Sequence, residues 1–145
     1  MKKLSIISRS KWELIVFVLL STCIVPTPLL AGDFDGSKPL LFAVIETVEC
    51  TPGSECLRGT AESVGIPQFL KINFEGKTIS STPESGPIRT TKIKNMERIE
   101  GKLILQGVQN GKAWSMVINE ATGKVTMSAS DEQAGFVVFG ACTTQ

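Results

Sequence analysis

The sequence predicts an all-β fold: a single antiparallel meander of about eight short strands, forming a small barrel or a half-open clam, behind an N-terminal signal peptide. Three observations predict it. Residues 103–108 and 113–118 flank Asn110-Gly111, and a two-residue Asn-Gly loop is a strong hairpin signal because a type I′ turn needs positive φ twice. Counting outward from that loop pairs Val108 with Ala113, Gly107 with Trp114, Leu105 with Met116 and Leu103 with Ile118, so one face is wholly apolar. Finally, Gly-Lys recurs at Gly76-Lys77, Gly101-Lys102, Gly111-Lys112 and Gly123-Lys124, each time just before a strand. In that pair Gly supplies the left-handed turn residue and Lys starts the strand with its head in water.

Residues 1–31 read as a targeting segment. Lys2, Lys3, Arg9 and Lys11 make a basic start, residues 14–25 an apolar run, Pro26-Thr27-Pro28 a break, and Ala31 a small residue at the cut. The run is shorter than the roughly 20 residues a membrane span needs. Leu20-Ser21-Thr22-Cys23 offers a minor alternative, because it resembles a bacterial lipoprotein signal with Cys23 acylated, although Thr22 stands where that pattern has a smaller residue. The expected location is therefore the bacterial periplasm or the exterior, with membrane attachment only if Cys23 is lipidated. Cleavage removes four of the chain's 15 basic residues and one of its 14 acids, leaving 11 against 13 and a net charge of −2. A near-neutral domain of residues 32–145 has no electrostatic footprint for nucleic acid.

Residues 40–48 are apolar and rich in branched side chains, as a buried first strand would be, with residues 57–64 returning beside it. Between them, Cys50-Thr51-Pro52-Gly53-Ser54-Glu55-Cys56 reads as a turn closed by its own disulfide. A reactive dithiol or a metal pair is the alternative, but the five intervening residues exceed the usual spacing of either. Cys142 is left without an assigned partner. Ile66-Pro67 interrupts pairing. Residues 69–74 alternate, with Leu70, Ile72 and Phe74 on one face, and Glu75-Gly76 turns them into residues 77–80. Residues 81–87, with Pro83, Gly86 and Pro87, are the clearest loop in the chain. Residues 88–99 are expected as strand, although Ile93, Met96, Ile99 and Leu103 also stand at near-helical spacing.

After the central hairpin, a four-residue loop Glu120-Ala121-Thr122-Gly123 pairs Ile118 with Val125, Met116 with Met127 and Trp114 with Ala129. Residues 131–135 then lead into a last strand that sets Phe136 against Ala129 and Val138 against Met127, with Cys142 continuing inward. The ending Gly135-Phe136-Val137-Val138-Phe139-Gly140-Ala141-Cys142-Thr143, with Gly111-Lys112-Ala113-Trp114-Ser115-Met116 before it, resembles small exported bacterial proteins of no assigned function. That resemblance covers the C-terminal third and implies no site.

The chain has no histidine, which removes the usual general base, the usual Ser or Cys activator and the commonest metal ligand. A phosphate-loop reading of residues 107–113 fails, because the spacing is one short and no Ser or Thr follows Lys112. Glu46, Glu49, Glu55 and Glu62 keep a carboxylate enzyme formally open, against the simpler reading of solvated charges that protect a strand edge. Arg89, Lys92, Lys94 and Arg98 form a basic set; Lys92, Lys94 and Arg98 share a face for an anion patch only if the strand register is unbroken, and Glu97 interrupts it. No catalytic residue, metal ligand or cofactor is assigned.

Trp114, with Met116 and Met127 on the same face, belongs either to the core or to a ligand pocket. The pocket reading rests on Gly107, Ala129 and Gly140 as small inward positions, since an eight-stranded barrel is just wide enough for one small ligand. The leading expectation is a non-catalytic binding module whose loops, residues 51–55 and 81–87, meet a partner protein or an envelope polymer. A carrier of a small apolar ligand beside Trp114 is the alternative, and a carboxylate enzyme the second alternative.

Overall fold

The first strand, β1 (Leu40–Cys50), joins both ends of the sheet, and this closes the fold. In the computed structural model, which describes residues 33–145, β1 is followed by β2 (Leu57–Gly59), β3 (Phe69–Asn73), β4 (Thr78–Ser81), β5 (Thr90–Ile99), β6 (Lys102–Gln109), β7 (Lys112–Asn119), β8 (Lys124–Ser130) and β9 (Gly135–Thr144). Strands β3 to β9 pair successively and antiparallel, and β1 pairs with β3 on one side and with β9 along its whole length on the other. The result is a closed eight-stranded barrel of β1 and β3–β9, with β2 added beside the second half of β1. Closure matters because it leaves few unpaired strand edges. The proposed leader, including Cys23, lies outside the described residues.

The hairpin registers follow the apolar pattern. Leu103 opposes Ile118, Leu105 Met116, Gly107 Trp114 and Val108 Ala113. Across the next turn Ile118 opposes Val125, Met116 Met127 and Trp114 Ala129, and beyond it Met127 opposes Val138 and Ala129 Phe136. The turn residues Asn110 and Gly111 have φ of 50° and 81°, as a type I′ loop requires. The side chain of Asn119 fixes the four-residue turn: its Oδ1 accepts from the backbone N–H groups of Ala121 (3.1 Å) and Thr122 (2.9 Å).

Three expectations need correction. Residues 57–64 do not run on as one strand. β2 stops at Gly59, because the carbonyl of Thr60 accepts from the hydroxyls of Thr47 (3.1 Å) and Ser63 (2.8 Å), and the chain turns through a 3₁₀ helix at Glu62–Val64. At Gly76-Lys77 the left-handed residue is Lys77, with φ 49°, rather than the glycine. The loop expected at residues 81–87 starts one residue later: Ser81 ends β4 buried, and its hydroxyl donates to the carbonyl of Pro87 (3.2 Å) and accepts from the N–H of Arg89 (2.8 Å). A 3₁₀ turn at Pro83–Ser85 follows, whose Ser85 hydroxyl accepts from the N–H of Phe69 (3.0 Å).

β5 is a strand, and its bulge explains the helix-like spacing. The pairing slips between Ile93 and Asn95, so Ile93 opposes Gly107 while Met96 opposes Leu105 and Arg98 opposes Leu103. One extra residue lets Ile93 and Met96, three apart, share a face, the interval a helix would use, whereas Ile99, opposite Lys102, lies on the other face. A second bulge, between Val44 and Glu46, turns Ile45 outward at 72% exposure and brings Thr47 inward, fully buried.

The core fills the end of the barrel nearest residues 33–39. Leu40, Phe42, Ile72, Leu105, Met116 and Ile118 are completely buried, each contributing about 1.5–3 kcal/mol of apolar burial. Phe34 packs against this cluster and sits over Gly123, where a Cβ would stand 2.7 Å from its Cζ. Gly36 lies similarly close to Leu103. Arg98 fastens the plug, donating to the carbonyl of Asp35 and pairing through Nε with Glu120 at 2.5 Å. This end of the barrel is sealed.

Candidate functional site

The opposite end holds a cavity of about 230 Å³. Trp114, Met127 and Ala129 line it together with Leu70, Ile79 and Val138. These residues come from β3, β4, β7, β8 and β9, so the strand alternation that builds the core also builds the cavity. Trp114 is 5% exposed, and its Nε1–H donates to Thr91 Oγ1 at 3.2 Å. That bond satisfies the one polar group of the indole and fixes the ring. The volume exceeds the roughly 150 Å³ that accommodates a benzene ring and falls short of the roughly 300 Å³ at which drug-sized sites begin. It suits one ring or a short chain.

Of the small positions expected to open this space, only Ala129 does so. At Gly107 the room is taken by the indole itself, since a Cβ would lie 2.3 Å from Trp114 Cζ2. At Gly140 it is taken by β1, because a Cβ would meet the carbonyl of Ala43 at 2.1 Å and Phe42 Cε2 at 2.4 Å. The three residues singled out as pocket or core also divide: Trp114 and Met127 line the cavity, whereas Met116 is fully buried in the packed half.

The mouth is built from segments whose role the sequence did not reveal. Residues 64–67 form part of the wall, held by hydrogen bonds from Ile66 N–H to the carbonyl of Ala61 (2.9 Å) and from Gly65 N–H to that of Glu62 (3.0 Å). Arg89 latches them: its Nη1 donates to the carbonyl of Gly65 at 2.9 Å, across 24 residues of sequence. On the far side Lys112 pairs with Asp131 and lies 5.4 Å above the ring of Phe136. Asp131 also accepts from the N–H groups of Gln133 and Ala134, both at 2.9 Å. The Lys112 bond and then these backbone donors hold its carboxyl down at about 2. A Pro in Ile66-Pro67 signalled an interruption, but nothing in the local pattern indicated that this segment would border a cavity.

The basic set does not assemble as one face. The bulge after Ile93 reverses the side-chain alternation, so Lys92 before it, Lys94 as its unpaired extra residue and Arg98 beyond it lose their common register. Arg98 is committed to the sealed end, and Arg89 alone of the set stands at the cavity. The carboxylates do not converge on the cavity either: Glu46 pairs with Arg58 at 2.6 Å on the exposed surface, and among the described residues no acid lines the cavity. Among the described residues, no group of three or more acids or cysteines has the spacing to hold a metal ion.

Cys50 and Cys56 are bonded to each other, tying β1 to β2. Cys142 is a free, buried thiol opposite Phe42, and burial pushes its pKa up to about 12. The disulfide loop, the turn at Pro83–Ser85, the Asn110-Gly111 hairpin and residues 131–134 all connect strands at the same end, the end of the cavity, whereas the 3₁₀ turn at Glu62–Val64 interrupts the edge beside β1 between β2 and β3. No protein-family model, curated protein or solved structure matches this chain.

Proposed function

We propose that this barrel is a carrier or receptor for one small, mainly apolar ligand, bound beside Trp114. The observation that carries the reading is the asymmetry of the barrel interior: packed and plugged at one end, with a cavity of about 230 Å³ against an immobilised indole at the other. A side chain that only filled space would leave no such volume, because protein interiors pack to crystal density with few voids larger than water. The ligand is a single ring or a short chain, with its polar part toward the mouth. Titration with small apolar compounds tests this, using the full chain carrying Trp12→Phe so that the emission is that of Trp114. Saturable quenching or a blue shift is expected. Unchanged emission across ring and chain compounds, with no heat by calorimetry, defeats the reading.

A second reading rests on the rim. The loops at residues 51–55 and 82–87 connect strands at the cavity end, and next to them Leu57 and Ile88 are 69% and 68% exposed. Such apolar residues beside anchored loops suit recognition of a partner protein or an envelope polymer. Replacement of either loop by Gly/Ser linkers would abolish capture of that partner, and capture surviving both replacements would exclude this role.

A further inference from the structure

The charge around the cavity is one-sided. Two cations and, among the described residues, no acid line it. One of the cations is already answered, since Lys112 is held by Asp131 and lies over Phe136. The other is not. Arg89 has no carboxylate partner among the described residues, and one hydrogen bond, to the Gly65 carbonyl, leaves further guanidinium N–H groups without an acceptor in the fold. A guanidinium presents a planar fork that matches a carboxylate through two parallel bonds. Arg89 is exposed, and its one bond to the Gly65 carbonyl holds the guanidinium beside the cavity with its remaining N–H groups open to a ligand.

Resting on the carrier reading above, we propose that the ligand is a small monocarboxylate, its ring or short chain against Trp114 and Met127 and its carboxylate on Arg89 at the mouth. The dimensions agree with this division. A cavity of about 230 Å³ takes an apolar body of one ring or a chain of about seven carbons, the apolar part of octanoate, and Arg89 lines the same cavity as Trp114 and Met127. The opposite orientation would bury the carboxylate among Leu70, Ile79 and Val138 without a partner, which costs several kcal/mol. Neutral apolar compounds of the same shape still enter, but lack the charge-assisted bond.

The test compares octanoate with octanamide, which share the chain and differ in charge, by calorimetry on the full-length protein at low ionic strength. Octanoate is expected to bind about tenfold more tightly, the size of a hydrogen bond to a charged group, and the ratio is expected to shrink in 0.5 M salt. Arg89→Gln should bring the ratio below about threefold. Arg89→Lys, which keeps the charge and loses the fork, should retain an intermediate preference, and circular dichroism confirms that both variants are folded. Equal affinities in the unmodified protein overturn the anion proposal while leaving the carrier reading intact. A preference that survives Arg89→Gln overturns the assignment to Arg89. Binding of neither compound overturns this proposal for chain carboxylates, and the carrier reading falls with it only if ring compounds also leave the Trp114 emission unchanged.

Discussion

The indole of Trp114 lies against the bare backbone of Gly107, so closely that a Cβ on that glycine would stand 2.3 Å from Cζ2 and 2.6 Å from the carbonyl oxygen of Lys92. The two residues are cross-strand partners on β6 and β7, and the small one sets the height of the large one. Gly107→Ala therefore has to move either the ring or the β5 backbone. Overpacking of this kind costs about 1–3 kcal/mol. The variant should unfold at lower denaturant concentration than the parent, with Trp114 emission shifted as the ring is pushed into the cavity. A fully stable variant with parental emission would mean that the ring is not held there.

The salt link at the mouth has a pH dependence with a definite sign. Asp131 has its folded pKa lowered to about 2 by Lys112 and by the N–H groups of Ala134 and Gln133, against about 3.9 in an unfolded chain. A lowered carboxylate pKa contributes stability that is present above the unfolded value and is lost as pH falls toward the folded one. Asp131→Asn keeps the turn acceptor but not the charge. Its stability deficit should be full at pH 5, decline from about pH 4, be mostly lost by about pH 2 and vanish below that. Denaturant midpoints at unit intervals of pH check this, and a deficit constant across the range contradicts it.

The Cys50–Cys56 bridge spans six positions and anchors β2 to the second half of β1. Closing so short a loop constrains the unfolded chain by about 2 kcal/mol. Cys50→Ser with Cys56→Ser should lower the midpoint of thermal unfolding by about 8 °C for a domain of this size. A change below about 2 °C would mean that the loop is ordered without its bond.

How much of this was legible in the sequence depended on how local the determinant is. The registers of β6 to β9 were readable because Asn110-Gly111 and the four residues after Asn119 set the alignment, and a slip by one would have put Met116 and Ile118 into water. The disulfide was readable for the same reason. The bulges at Val44 and Ile93 were not, because an inserted residue leaves no local mark, and the second of them imitated a helical interval and scattered the basic set. Closure through β1 and β9 and the latch of Arg89 on Gly65 join residues 96 and 24 positions apart, between Val44 and Gly140 or across the mouth, and no alternation of residue types specifies such a meeting. For that reason the sequence pointed to Trp114, Met127 and Ala129 but passed over Thr91 and residues 64–67.

Cys142 is the one free thiol among the described residues, and burial raises its pKa to about 12. The thiolate is the reactive form, so the folded protein should resist iodoacetamide at pH 8 for hours and react fully once denaturant is added. Mass spectrometry of the Cys142 peptide follows both. Rapid labelling under native conditions would show that the β9 end opens on the timescale of the reagent.

Ala129 separates the cavity from mere packing. It stands on β8 opposite Trp114 and Phe136, half-buried, packed against the edge of the core and lining the cavity. Ala129→Leu adds three carbons into that volume. If the space is unoccupied in the free protein, the added methyl groups gain contacts, and stability should hold or rise by about 0.5–2 kcal/mol, as cavity-filling changes do. Gly140→Ala is the contrasting variant. It adds a single carbon, but at a position where the Ala43 carbonyl and the Phe42 ring already occupy the room, so it should destabilise by about 1–3 kcal/mol. Ligand binding should reverse this order: Ala129→Leu, the stable variant, loses binding by at least tenfold, while the less stable Gly140→Ala retains it under conditions where it is folded. Chemical denaturation and calorimetric titration of the two variants provide the comparison. Parental affinity in a folded Ala129→Leu protein would place the ligand elsewhere than beside Trp114.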